Sequence, residues 1–257
     1  MTISIKTNKD RRRALFCICV LIYAAALLIR VFELAMNPMI SRDAALYLTL
    51  SDLWHESGDY TSTLLPGIIV PPLPVWTMKS LLALGFSTEV TGRTIALILG
   101  SLLPVVGFIF GLNVSGRVRI GLLTALLVMI QPELVSYSYQ PLRENFYLFF
   151  DGLLLIALVD AVKRSGISKW CICGILLSLT FYCRLEALEF LALIPFIFAV
   201  LFFWKKMNVK DVIVNFSAFL FSFLITSASL LTMVDFNCIF ISRILVWIGR
   251  LLHIPIE

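Results

Sequence analysis

Pro71-Pro-Leu-Pro-Val-Trp-Thr-Met-Lys79-Ser-Leu-Leu-Ala-Leu-Gly-Phe86 decides the fold. If this run crosses a membrane, every later loop changes sides. It opens with three prolines in four residues and carries a lysine near its middle. A crossing helix needs about 20 predominantly apolar residues. The run is too short and too interrupted, so it is expected to stay on one face.

The composition around it demands a membrane. Hydrophobic residues make up 60% of the 257 and charged residues 14%, with a mean hydropathy of +0.97. A water-soluble core has no use for that much apolar surface. Seven further runs are long enough, or nearly so, to cross: 14–32, 94–112, 120–137, 145–162, 168–183, 187–204 and 212–234. The basic cluster from Lys9 to Arg13 before the first run imitates a signal peptide. The run continues past its alanines, however, and reads as an uncleaved first span.

Basic residues test the arrangement. With 71–86 not crossing, thirteen of the 21 Lys and Arg fall on the N-terminal side and eight on the other. The pairs Arg117/Arg119, Lys163/Arg164 and Lys205/Lys206 all share the N-terminal side. Short cytosolic loops are the ones enriched in such residues. The chain therefore reads as all-α: a polytopic transmembrane helix bundle of about seven spans, N-terminus in and C-terminus out. It forms a single membrane domain over 1–257, with a first outer loop at 33–93 and an outer interfacial tail at 235–257. Six cysteines show no disulfide framework. No nucleic-acid partner is expected.

Twelve of the sixteen carboxylates fall on the outer side in this arrangement. The longest polar interval, 41–60, holds four of them, with Arg42 and His55. Leu46, Leu50, Leu53 and Trp54 recur there at helical spacing and predict an amphipathic helix lying apolar side down on the membrane. Asp43 follows the first span and Glu144 lies between the third and fourth. At one mouth of a bundle such a pair can hold a divalent metal that clamps a phosphate, or one member can act as general base. Solvated loop acids are the bland alternative.

The outer cations Lys79, Arg93, Arg143 and Arg184 suit a lipid phosphate. Snorkelling, or pairing with Glu186 and Glu189, would account for them equally. His55 is a weak metal ligand beside Glu144, and Glu133 can join the acidic mouth. Asp151 sits two turns below Glu144 inside a span, where an ionisable group is a functional suspect or a hydrogen-bonder between helices. Gly107-x-x-x-Gly111 is a candidate helix-packing face.

Four stretches together resemble a known family: Arg42-Asp43-Ala-Ala-Leu-Tyr47 with Leu53 to Tyr60; Pro71-Pro72-Leu73-Pro74; Gly92-Arg93; and Gln131-Pro132 with the loop from Ser136 to Glu144. The pattern is similar to the GT-C superfamily of integral-membrane glycosyltransferases, in the branch of protein O-mannosyltransferases, aminoarabinose transferases and Rgt-type transferases. The resemblance implies transfer from a polyprenyl-phosphate sugar donor on the outer face of the cell (inner) membrane, with inversion at the anomeric carbon. It implies Asp43 as the base and Glu144 as a partner for metal or acceptor, with Arg42 in the first motif. Glu186 and Arg184 belong to the outer hinge at 184–189. Membrane lipid is the medium, and the acceptor is open. Relatives usually continue through more helices and an outer domain. A catalytically incomplete fragment that binds lipid-linked sugar or a membrane partner is therefore the alternative, and a transporter or flippase the third.

Single cysteines at 62, 115 and 165 test the topology. A membrane-impermeant thiol reagent added to intact cells should label position 62 above the parent background and leave 115 and 165 unlabelled until the membrane is opened.

Overall fold

The computed structural model describes residues 8–58, 70–204 and 206–233. The 235–257 tail, Pro66-Gly67 and Lys205 lie outside them. The described residues are helical, with no strand: α1 (Asn8–Met36), α2 (Arg42–Ser57), α3 (Pro72–Leu82), α4 (Thr88–Ser115), α5 (Val118–Ile130), α6 (Pro132–Tyr137), α7 (Arg143–Lys163), α8 (Ile167–Cys183), a 3-10 turn (Leu185–Leu188), α9 (Glu189–Phe203) and α10 (Val209–Met233). Helix is the solution lipid allows to a lone segment, because each N–H finds its carbonyl within the segment.

Among the described residues, five units are long and apolar enough to cross a membrane: Asp10–Met36, Thr88–Ser115, Arg143–Lys163, Leu185–Phe203 and Val209–Thr232. The other two predicted runs are shorter apolar helices, α5 and α8. The predicted run 120–137 divides in two. Gln131 is extended, with φ −62° and ψ 118°. Pro132 has no N–H to return to the turn below it, so α5 stops and α6 restarts on the proline.

The segment 71–86 forms α3, only 11 residues long. At 1.5 Å per residue it spans about 16 Å, roughly half a hydrocarbon core. Pro72, Leu73, Pro74, Val75, Met78 and Leu82 are buried, so α3 packs against protein on α2, α4 and α8.

Helix α2 also differs from expectation. It buries Ala44, Tyr47, Leu48, Leu50, Ser51 and Trp54, while Leu53 is exposed. This face lies on α3 and α4 instead of on the membrane. At 100° per residue Leu53 and Trp54 cannot both sit at its centre, and Trp54 takes the buried place.

Helix α4 packs against α1, α2, α3, α5, α6 and α7. Its glycines allow this. A Cβ at Gly107 would lie 3.1 Å from Val128, and one at Gly111 would lie 2.5 Å from the Thr124 hydroxyl, so both face α5. On the far side α8 packs on α7 and α10. Trp170, Phe198, Phe216 and Phe219 form its aromatic filling, with the Trp170 and Phe198 rings 4.2 Å apart.

Helices α4 and α7 end together. At one end Lys163 donates to the carbonyls of Asn113 and Val114, closing the end of α4 with the end of α7. Asp160 there pairs with Lys169 and with Arg164. Arg117 and Arg119, where α4 gives way to α5, share this end with Lys163 and Arg164, at the opposite end of α7 from Glu144.

Gly174 sets the α8–α10 spacing. A Cβ there would lie 2.2 Å from the Ser222 hydroxyl and 2.3 Å from the Phe219 carbonyl oxygen. Gly174→Val should destabilise the chain by about 1–3 kcal/mol, read as a lower thermal midpoint of the solubilised protein. Gly166→Ala, where the nearest atom is 3.8 Å away, should leave the midpoint unchanged.

Candidate active site

The site begins with the loop between α6 and α7. Asn145, buried in the first turn of α7, donates through Nδ2 to the carbonyls of Tyr137 at 2.9 Å and Gln140 at 2.7 Å. This fixes the loop against the helix it precedes. Gln140 then reaches 99 residues back. Its Oε1 accepts from the Ser41 amide at 3.0 Å, and its Nε2 donates to the Met39 carbonyl at 2.8 Å. Arg93 donates to the neighbouring Pro38 carbonyl. Pro141 and Leu48 can close over α4 only because residue 92 is glycine; a Cβ there would lie 2.8 and 2.6 Å from them.

The clasped linker delivers α2. Ser41 caps it by accepting from the Ala44 amide at 3.2 Å, and Thr88 at the start of α4 donates to Asp52. Asp43 lies exposed in the first turn of α2, and Glu144 half-buried in the first turn of α7. Each carboxylate therefore sits at a helix N-terminus, where the backbone dipole favours negative charge.

Guanidiniums surround Glu144. Its Oε1 lies 3.3 Å from Arg143 Nε and 3.9 Å from an Arg184 terminal nitrogen. Arg184 also pairs with Glu186 at 3.0 Å and stacks on the Tyr147 ring, 5.5 Å from its centroid. Tyr47 reports how these groups converge. Burial pushes its phenol up to about 12; Arg143 opposes the shift, Glu144 and Asp43 add to it, and Arg184 opposes it. Asp43, Glu144, Arg143 and Arg184 thus act on one buried hydroxyl, which stays protonated at neutral pH.

The remaining candidates lie apart from this rim. Lys79 sits 5.1 Å above the Trp54 ring, joining α3 to α2. Arg93 is mostly buried and paired with Glu89 at 2.8 Å. Arg42 is exposed beside Asp43, and His55 is exposed in the last turn of α2. Glu133 is exposed on α6 and makes no ion pair among the described residues. Asp151 acts electrostatically on Tyr147, and one of its oxygens is buried without a hydrogen-bond partner. Among the described residues no three His, Cys, Asp or Glu side chains gather as a metal site.

Sequence reasoning did not single out Gln140, Asn145, Tyr47 or Tyr147. The first two lie in or beside the Ser136-to-Glu144 loop and Tyr47 closes the first motif, but Gln140's partners Ser41 and Met39 are remote in the chain, and Asn145 bonds to backbone carbonyls that carry no side-chain signal.

An apolar helical bundle with an acid–guanidinium rim at one end defines a multi-pass membrane protein with a polar site at the edge of the lipid. The chain belongs to the dolichyl-phosphate-mannose-protein mannosyltransferase family, whose model matches residues 69–231, well over half of its length. It is accordingly a membrane glycosyltransferase that draws on a lipid-linked sugar. The match takes in Lys79, Arg93, Glu144, Arg184 and Glu186, and begins after Asp43. No curated protein and no solved structure matches the chain.

The clasp is testable by itself. Gln140→Ala removes both hydrogen bonds, each worth about 1 kcal/mol. Amide exchange across 39–44 should speed up by about tenfold or more, while exchange within α8 stays unchanged.

Proposed function

We propose that the chain moves a sugar from a polyprenyl-phosphate donor to an acceptor hydroxyl or amine on the extracytoplasmic face of the cell (inner) membrane, with Asp43 as general base. The observation that carries this reading is geometric: Asp43 and Glu144 each open a helix, Gln140 clasps the linker before Asp43 to the loop before Glu144, and Arg143 and Arg184 stand on Glu144. A base and a phosphate-binding charge are the two things such a transfer requires, side by side.

The steps follow from that arrangement. Asp43 takes the proton of the acceptor group. The acceptor oxygen or nitrogen forms its bond to the anomeric carbon from the side opposite the phosphate. The bond from that carbon to the phosphate oxygen breaks, and its electron pair leaves with the lipid phosphate. Arg184 and Arg143 meet the developing negative charge, and Glu144 holds both in place before the donor arrives. A planar guanidinium offers two parallel N–H groups to phosphate oxygens, which an ammonium cannot. Were a divalent ion bound, Glu144 would be its carboxylate ligand and His55, in the last turn of α2, a weak second. With two guanidiniums already on Glu144, charge stabilisation is assigned to the arginines. Arg93 acts by holding the linker before Asp43, and Lys79 by holding α3 to α2.

Orientation rests on charge. The basic loops stand at the end opposite the rim, and the enrichment of such loops in the cytosol supports a rim that faces outward. The same argument supports seven crossings, with α5 and α6 together making the third.

Asp43→Asn should lower transfer from a labelled polyprenyl-phosphate sugar by about 10²–10⁴-fold with membrane insertion intact; near-normal turnover would remove Asp43 from the chemistry. Arg184→Lys keeps the charge and loses the fork. It should reduce kcat/KM by about tenfold or more, the share expected of one charge-assisted hydrogen bond.

A further inference from the structure

One ionisable side chain inside a span is unused by the transfer steps. Asp151 lies about 12 Å along α7 from its first residue. Its spacing from Tyr147, Leu154 and Leu158 puts all four on one stripe of the helix. Leu154 and Leu158 are enclosed in the core, at 0% and 5% exposure. The stripe therefore points into the bundle, and no residue of α7 over 143–162 is exposed. Toward the rim the packing along the stripe loosens: Asp151 and Tyr147 are only half-buried.

A carboxyl group at such depth is costly and is kept for a partner or for a function. Among the described residues Asp151 makes no hydrogen bond and no ion pair, and its Oδ1 is buried with nothing to accept from. It does not bridge to another helix there. One turn nearer the rim, the Tyr147 hydroxyl also makes no hydrogen bond among the described residues. The Tyr147 ring lies beneath the Arg184 guanidinium, which stands 5.5 Å from its centroid, and Asp151 and Arg184 both act on it electrostatically. A guanidinium, a phenol and a carboxyl group thus descend in order from the rim.

That order matches a glycosyl phosphate. The phosphate suits the guanidinium. A phenol both donates to and accepts from a sugar hydroxyl, and a carboxylate accepts from two. In an in-line displacement the base and the departing phosphate lie on opposite sides of the anomeric carbon. The sugar ring projects across that axis, and the loosened stripe of α7 gives it room. From Tyr147 to Asp151 is one turn, about 6 Å, close to the reach of a single hexose.

We propose that Asp151, with Tyr147, receives the sugar of the lipid-linked donor by hydrogen-bonding its ring hydroxyls, and so selects which sugar is transferred. The proposal rests on the polyprenyl-phosphate donor assigned to the rim. A site built to pair a substrate hydroxyl rejects a ligand that lacks it, because its own polar group is then left unpaired.

The test is donor binding, which needs neither acceptor nor base. The purified protein is titrated with undecaprenyl phosphate and with undecaprenyl-phosphate mannose, glucose and galactose. At least one glycosylated lipid should bind about tenfold or more tighter than the bare one, the share of a hydrogen bond to a charged group. Asp151→Leu should remove that gain and leave the affinity for the bare lipid unchanged. Asp151→Asn, which keeps the shape and one accepting oxygen, should retain part of it. Because the carboxyl group has no partner to lose, Asp151→Asn should not lower the thermal midpoint of the protein without lipid. A gain that survives in Asp151→Leu would overturn the proposal. So would no gain in the unaltered protein, an equal loss for bare and glycosylated lipid, or a lowered midpoint in Asp151→Asn. Normal turnover by Asp43→Asn would remove the proposed base and leave these affinities as they are.

Discussion

Close approach to the backbone of α4 is the constraint on which the rest depends. At Gly92 the helix meets Leu48 and Pro141, at Gly100 it meets Ser138, and at Gly107 and Gly111 it meets α5. At Gly100 the fit is tight enough that a Cβ would lie 2.0 Å from the Ser138 Cβ. Between membrane helices little is gained by hiding apolar surface, since lipid is equally apolar. Contact area and short separation do the work instead. One helix with glycines on several sides can therefore gather neighbours that its hydrophobicity alone would not.

That gathering is what brings the rim together. Asp43 and Glu144 are a hundred residues apart, and each rides on the first turn of a different helix. The loop stapled by Asn145 and the linker grasped by Gln140 are joined where both cross the top of α4. Arg93 grows from the same turn as Gly92, so one stretch of helix both admits the loop and holds the linker. The pair Gly92-Arg93 has a physical reason to be a pair: the small residue makes room, and the long one closes it.

Much of this was legible in the amino-acid order. Within the described residues the apolar runs became helices, one of them broken in two, because length and hydropathy leave lipid-facing backbone few options. Pro71 to Phe86 stayed short, as its prolines and lysine indicated. What was hidden depended on partners far away in the chain. The hydrogen bond from Ser41 to Gln140 spans 99 residues and leaves no periodic trace. Leu53 and Trp54 are adjacent and both apolar, so only the neighbours α3 and α4 decide which one turns inward. The interruption at Gln131-Pro132 was visible as a proline, but the apolar run continues across it. Hydropathy averaged over a window passes over a missing N–H.

The aromatic side of the bundle is assembled out of chain order. Helix α10 has α8 as its main neighbour, and α9, which lies between them in the chain, touches α10 far less. The flat spot at Gly174 is shaped for a segment that starts 35 residues later. During synthesis α8 must therefore wait in the lipid, or at the insertion machinery, with that groove unfilled while α9 passes by. The last described helix to leave the ribosome is the one that locks this side in place.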